Sequence, residues 1–237
     1  MASAPTAVLF GSTGLLGQHL LPILLASDTY QAIHTISRRA PKTESPKLTA
    51  HVETDTSKWA STLASLSPTP SIVVSALGST RVGAGSIENQ WKIDHDLNIE
   101  LAKAAHAAGV KSYLFVSSAG TRGWLGGNAP YSRMKQGVEA AVESMGFEQA
   151  IVMRPGVILG PREHEEHHPG GPLINMTIRG LGRIYQGWQD GLGQEAEVIG
   201  RAVVHAMMLA HEGKAPSKYW LLCQPDVVRL GRDEWKS

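Results

Sequence analysis

The chain has 237 residues, 42% hydrophobic and 18% charged, with a formal net charge of +1. That is enough chain for a buried core, and the composition excludes a disordered chain and gives no reason to expect nucleic acid as a partner. One cysteine excludes an intrachain disulfide, and no apolar run reaches the roughly 18 residues a membrane span needs.

The opening Met1-Ala2-Ser3-Ala4-Pro5-Thr6 has neither the basic region of a secretory signal nor the Arg-rich pattern of a matrix presequence. Residues 7–10 are predicted as a first strand and 15–26 as a helix. Between them lies Gly11-Ser12-Thr13-Gly14-Leu15-Leu16-Gly17. A glycine turn between a strand and a helix aims backbone N–H groups and the positive helix end at a pyrophosphate. Its spacing, G-x-x-G-x-x-G, is looser than the common G-x-G-x-x-G, and its place after the first strand gives it weight.

A second strand is predicted at 32–36. The adenosine ribose of a bound dinucleotide sits near the end of this strand, where an NAD site usually carries Asp or Glu. Here Ser37-Arg38-Arg39 follow. Two guanidinium groups, with no carboxylate beside them, suit a 2′-phosphate. NADP(H) is therefore expected over NAD(H), with a solvated loop surface as the other reading of Arg39.

Residues 38–46 are predicted as loop, and 48–53 as a third strand leading to Asp55. Asp55 has two readings: an acceptor for the adenine amino group, or the N-cap of a helix near Ser57. The fourth strand, 72–75, runs into Ala76-Leu77-Gly78, small enough for a cofactor to lie against the backbone. A long helix is predicted over 89–108, closed by Gly109. A fifth strand at 112–116, a helix at 131–145 and a sixth strand at 150–153 follow.

Residues 161–172 are expected to form an exposed loop, and 194–210 one more helix. Cys223, after an apolar run, is expected to be buried. This alternation predicts an α/β fold: a Rossmann-type doubly wound parallel sheet. No repeat or linker divides the chain. One NAD(P)-binding domain over 1–237 is expected, with 161–237 as a small substrate-side extension.

Tyr131-Ser132-Arg133-Met134-Lys135 places a tyrosine and a lysine four residues apart on one helix face. A neighbouring ammonium favours the phenolate and lowers the tyrosine pKa, so that the hydroxyl can exchange a proton at a carbonyl. Lys135 can also reach the nicotinamide ribose. Ser118, at the end of the fifth strand, could converge with Tyr131 on one substrate oxygen. His164 and His168 suggest a metal, but Pro169-Gly170-Gly171 disfavours a regular helix and no H-E-x-x-H is present, so no metal is expected. Trp124 could line the substrate pocket, touch a membrane or pack on the core.

The glycine turn with Ser118, Tyr131 and Lys135 resembles the short-chain dehydrogenase/reductase superfamily. Arg154-Pro155-Gly156-Val157-Ile158-Leu159-Gly160 is similar to the R-P-G-x-x-x-G turn of its extended and atypical branches, which implies that Pro155 and Val157 border the nicotinamide. Further segments resemble the fungal "found in mitochondrial proteome protein fifty-two" family, akin to Tat-interacting oxidoreductases. They are Ser45-Pro46-Lys47-Leu48, Asp55-Thr56-Ser57-Lys58-Trp59, Ile93-Asp94-His95-Asp96 and the strand end from Ser117 to Gly120.

The resemblance implies an NADP-dependent carbonyl reductase or alcohol dehydrogenase with a small carbonyl or alcohol substrate. It also implies peripheral attachment to the cytosolic side of the mitochondrial outer membrane, with plain cytosol as the other reading. The chain departs from the superfamily where an active-site Asn is usual: the helix after the fourth strand offers Asp94, Asp96 and Asn98. Two alternatives stand beside the reductase, a non-catalytic NADPH-binding scaffold and a redox-neutral epimerase. The helices beginning at Asn89 and Tyr131 are candidate homodimer faces.

Overall fold

A computed structural model describes residues 5–122, 127–160 and 171–236. Trp124 and the His-rich segment 161–168 lie outside the described residues. Seven parallel strands form the central sheet: β1 (Thr6–Phe10), β2 (Ala32–Ser37), β3 (Leu48–Val52), β4 (Ile72–Ser75), β5 (Ser112–Val116), β6 (Gln149–Met153) and β9 (Tyr219–Leu222). They are ordered β3-β2-β1-β4-β5-β6-β9, and β7 (Val157–Leu159) pairs in parallel with β8 (Gly193–Glu195) in a separate ribbon.

Strands β1, β4 and β5 read as unbroken apolar runs because helices cover both faces of the sheet. One face packs Leu9, Val74, Leu114 and Ile151 under α1 (Gly17–Ala26) and α9 (Ala196–His211). The other packs Val8, Phe10, Val73 and Phe115 under α2 (Trp59–Ala64), α5 (Asn98–Ala107) and α6 (Pro130–Ser144). The strand order reverses direction between β1 and β4, which opens a crevice at their carboxyl ends. No described helix is long and apolar enough to cross a membrane.

The predicted helix over 89–108 is not regular. After α3 (Arg81–Ala84), the short α4 (Ile87–Trp91) leads into a π-helical turn, Lys92–Leu97, before α5 resumes. Asn98 Nδ2 donates to the Ile93 carbonyl at 3.0 Å, satisfying an acceptor in that turn. The π turn places Asp94, Leu97 and Asn98 in the interior while Asp96 stays outside.

Beyond Met153 the structure is richer than the sequence suggested. Strands β7 to β9, α8 (Gln186–Leu192) and α10 (Gln224–Val228) were too short to read. The 14-residue α7 (Gly171–Ile184) was missed despite its amphipathic spacing, and it takes in residues 171 and 172 of the expected loop. Gln194 belongs to β8 rather than to the following helix, which starts at Ala196. Cys223 is corrected as well: it is exposed, because the apolar run ends at Leu222 and Cys223 is the N-cap of α10.

Candidate nucleotide and substrate site

The glycine turn closes the gap between β1 and α1. Gly11 adopts φ +83°, and a β-carbon there would come within 2.7 Å of the Ala76 carbonyl oxygen. A β-carbon on Gly17 would overlap the Gly11 carbonyl. These two glycines are demanded by the protein itself. Gly14 is not: a β-carbon there would meet nothing closer than Gly11 O at 3.4 Å. Gly14 instead lines a groove of about 350 Å³.

The groove brings together Thr13, Gly14, Leu15 and Leu16 of the turn with Arg38 and Arg39 after β2. Ala76, Leu77 and Gly78 after β4 line it too, together with Tyr131 and Lys135 of α6. Gly11, Ser12, Gly17 and Ser37 do not line it. They support its wall: Ser37 is buried, and its Oγ donates to the Arg39 carbonyl at 2.7 Å, which shapes the arginine turn. Asp55 stands apart from the groove. It is the N-cap of a 3-10 turn, Thr56–Lys58, accepting from the backbone N of Ser57 at 3.1 Å and its hydroxyl at 2.7 Å.

Two observations beyond its lining suit the groove to a dinucleotide. Gly14 leaves the turn open where a side chain would add bulk for no structural reason. The Ser12 hydroxyl is buried in the turn with no hydrogen-bond partner among the described residues, an orphan that a bound pyrophosphate could satisfy.

A second cavity, of about 510 Å³, adjoins the groove. Ser118, Pro155 and Val157 line it, and Tyr131 lines both spaces. Tyr131 is 38% exposed, at the first turn of α6, where Pro130 begins the helix. Lys135, one turn on, is 3% exposed. Its Nζ donates to the carbonyls of Val116 at 3.2 Å and Leu77 at 3.3 Å, and lies 4.7 Å from the Phe115 ring centroid. Burial pushes the Lys135 ammonium below its ordinary pKa, and the charges of Asp94 and Glu139 oppose that shift.

Asp94 is the acid behind this site. It is fully buried, and its Oδ1 accepts from the backbone N of Ser79 at 2.6 Å and from Ser79 Oγ at 3.0 Å. Burial raises its pKa against the pull of Lys135, Ser79 and Gln90. Asn98 accepts from Ser75 Oγ at 2.6 Å. The three polar residues that sequence left unassigned thus divide: Asp94 braces the loop after β4, Asn98 braces its strand end, and Asp96 pairs with His95.

A second buried acid lies on the same face of α6. Glu139 accepts from Ser117 Oγ at 2.5 Å, from Arg154 Nε at 2.9 Å and Nη2 at 2.5 Å, and from Arg122 Nη2 at 3.1 Å. Arg154 thereby ties the segment after β6 to α6. Sequence reasoning named Asp94 without assigning it a role and missed Glu139, Ser79, Thr80 and Ile158. Glu139 had a signal: it continues the four-residue spacing from Tyr131 and Lys135, although a glutamate in a helix is usually solvated.

Comparison with known proteins gives the family and the fold. The sequence model of a family described as "NAD dependent epimerase/dehydratase family" matches residues 7–212. The chain is 55% identical over 230 residues to "Protein fmp52-2, mitochondrial" of Aspergillus terreus, covering 97% of this chain and 98% of the relative. It is 56% identical over 230 residues to "Protein FMP52, mitochondrial" of Chaetomium globosum, with the same coverage. Among solved structures, a short-chain dehydrogenase/reductase from Saccharomyces cerevisiae superposes with TM-score 0.67 at 15% identity, covering 95% of this chain and 99% of that one. A UDP-Glc/GlcNAc 4-epimerase from Campylobacter jejuni gives TM-score 0.68 at 13% identity, covering 95% and 82%.

Proposed function

Since this chain belongs to the NAD dependent epimerase/dehydratase family and, within it, with the FMP52 proteins, we propose that it is an NADP(H)-dependent oxidoreductase of the carbonyl reductase type. The observation that carries this reading is the position of Tyr131. It forms part of the wall of both cavities, with Lys135 buried in the groove and Ser118 in the second space. Arg38 and Arg39 on the groove support a 2′-phosphate.

The bound nicotinamide would supply or accept the hydride. Tyr131 donates the proton to the carbonyl oxygen in reduction, and accepts it from the alcohol in oxidation. Lys135 lies one helical turn behind, where a positive charge favours the phenolate and its amine can hold the nicotinamide ribose. Ser118 donates to the substrate oxygen. Leu77 and Val116 carbonyls hold the lysine so that its charge stays fixed through the reaction. Pro155 and Val157 wall the substrate side, where the nicotinamide ring would meet it.

The deciding experiment is calorimetric titration of the native protein and of Arg38→Ala with NADPH and NADH. NADPH binding that weakens in the variant, while NADH binding is unchanged, supports the cofactor reading. Equal binding of both cofactors overturns the preference. A Tyr131→Phe variant that keeps full turnover overturns the mechanism. NADPH binding without turnover of any carbonyl compound would make the protein a binding scaffold.

The name "mitochondrial" carried by the relatives supports a mitochondrial address. We place the protein on the cytosolic face of the outer membrane, held peripherally. Release from purified mitochondria by alkaline carbonate, and degradation by protease added outside intact organelles, are the expected results.

A further inference from the structure

We propose that the substrate of this site carries a carboxylate, and that Arg81 recognises it. This rests on the carbonyl reductase reading and names its substrate class. Arg81 is the one charged side chain lining the second cavity among the described residues. The rest of that lining is neutral. Ile87, Pro130, Pro155 and Val157 form apolar walls, and Ser118 and Tyr131 supply hydroxyls. A substrate seated here meets these apolar walls, the neutral polar groups of Ser79, Thr80, Gln90 and Ser117, the hydroxyls of Ser118 and Tyr131 for its carbonyl oxygen, and one cation.

Arg81 makes no ion pair or hydrogen bond among the described residues. It acts through space on Glu88, whose carboxylate is held mainly by its own backbone N–H and by Ser86. A guanidinium presents a planar fork that matches a carboxylate, and its single charge matches a monoanion.

The cofactor phosphates are the competing anion, and the lining argues against them. Ser79, Thr80 and Gly83 face the nucleotide groove as well, but Arg81 lines the second cavity alone. Thr80 caps α3, its Oγ1 accepting from Gly83 N at 3.0 Å, and Arg81 is the first residue of that helix.

The test uses para-carboxybenzaldehyde and its methyl ester, which differ in charge and present the same aldehyde. The native protein with NADPH is expected to reduce the free acid with the lower KM. Arg81→Gln is expected to raise KM for the acid by roughly tenfold or more, the scale of a charged hydrogen bond, and to leave the ester unchanged. Equal KM values for acid and ester in the native protein overturn the proposal. So does an Arg81→Gln variant that binds NADPH more weakly while its acid-to-ester preference is retained.

A binding readout separates this proposal from the reductase reading. Calorimetric titration of para-hydroxymethylbenzoate into NADP⁺-loaded protein needs no turnover. Binding to the native protein that is lost in Arg81→Gln supports the carboxylate site even where no carbonyl is reduced, in which case the reductase reading alone fails. No binding to the native protein, with the ester still turned over, overturns the carboxylate site alone.

Discussion

Ser117 gives its hydroxyl hydrogen to Glu139 across 2.5 Å, while Ser118, the next residue, lines the second cavity with a hydroxyl that makes no hydrogen bond among the described residues. Two adjacent serines at one strand end therefore have separate work. Both residues line the second cavity, and what separates them is that the Ser117 hydroxyl is tied to the α6 carboxylate.

Ser117→Ala is expected to lower stability by about 1–3 kcal/mol, because it removes a donor from a buried carboxylate. Ser118→Ala is expected to leave the melting temperature unchanged and to reduce kcat by about a hundredfold, the usual loss for one donor to a reacting oxygen. Thermal denaturation and steady-state kinetics on the two variants decide this. The opposite pattern would reassign the serines.

Glu139 predicts an acid-labile fold. Burial alone would raise its pKa, but Arg154, Ser117 and Arg122 outweigh that and hold the carboxyl below its ordinary value. A depressed carboxylate contributes stability that is complete above the unfolded pKa, about 4.3, and is lost as pH falls through the folded value. Glu139→Gln should cost about 3–5 kcal/mol at neutral pH, since it leaves Arg154 without its charged partner. Melting temperature against pH should then fall less steeply in the variant below that carboxylate range.

Asp94 predicts a change in pH profile with little change in fold. Asparagine keeps an oxygen for the two bonds from Ser79 but removes a negative charge that helps Lys135 keep its proton. In Asp94→Asn, Lys135 should deprotonate at lower pH. The alkaline limb of kcat/KM should move to lower pH by a measurable fraction of a unit. The same sign governs stability. Folding disfavours the protonated form of a lysine whose pKa is lowered, so the penalty present at neutral pH is relieved as pH rises through the folded value. An unshifted alkaline limb would show that Asp94 acts only as a brace for Ser79.

The three glycines of the turn should separate into two kinds. Gly17→Ala is expected to unfold the turn or the protein, because its β-carbon would overlap the Gly11 carbonyl. Gly11→Ala should destabilise through both its positive φ and its approach to Ala76. Gly14→Ala should fold with a nearly native melting temperature and lose NADPH affinity, since its added methyl meets no protein atom closer than 3.4 Å. Calorimetry beside thermal denaturation distinguishes the outcomes.

Strands β4 and β5 were readable to the residue because buried parallel strands are continuous apolar runs. The glycine turn was readable because its spacing sits between a strand and a helix. The π turn was not. Residues 89–108 have an unbroken helical pattern, and a one-residue slip in hydrogen bonding leaves no mark on apolar periodicity. Strand β9 was missed because four residues at a sheet edge carry too little pattern. Cys223 was misplaced because its position relative to Leu222 depends on where that strand stops.

Local chemistry in the sequence sufficed for the doubly wound sheet, the glycine turn between β1 and α1, the place of the arginines after β2 and that of Tyr131 and Lys135 on one helix, since each depends on residues close together along the chain. Tertiary structure alone decided that Glu139 is buried against Ser117 and Arg154, 22 and 15 residues away, and that Asp94 reaches Ser79, 15 residues back. It also decided which glycine the fold can spare and that Arg81 faces the second cavity. The physical reason is common to all four. Whether a charge is buried, and whether a backbone has room beside it, depends on elements distant in sequence that packing brings together, and no local pattern records which of them will arrive.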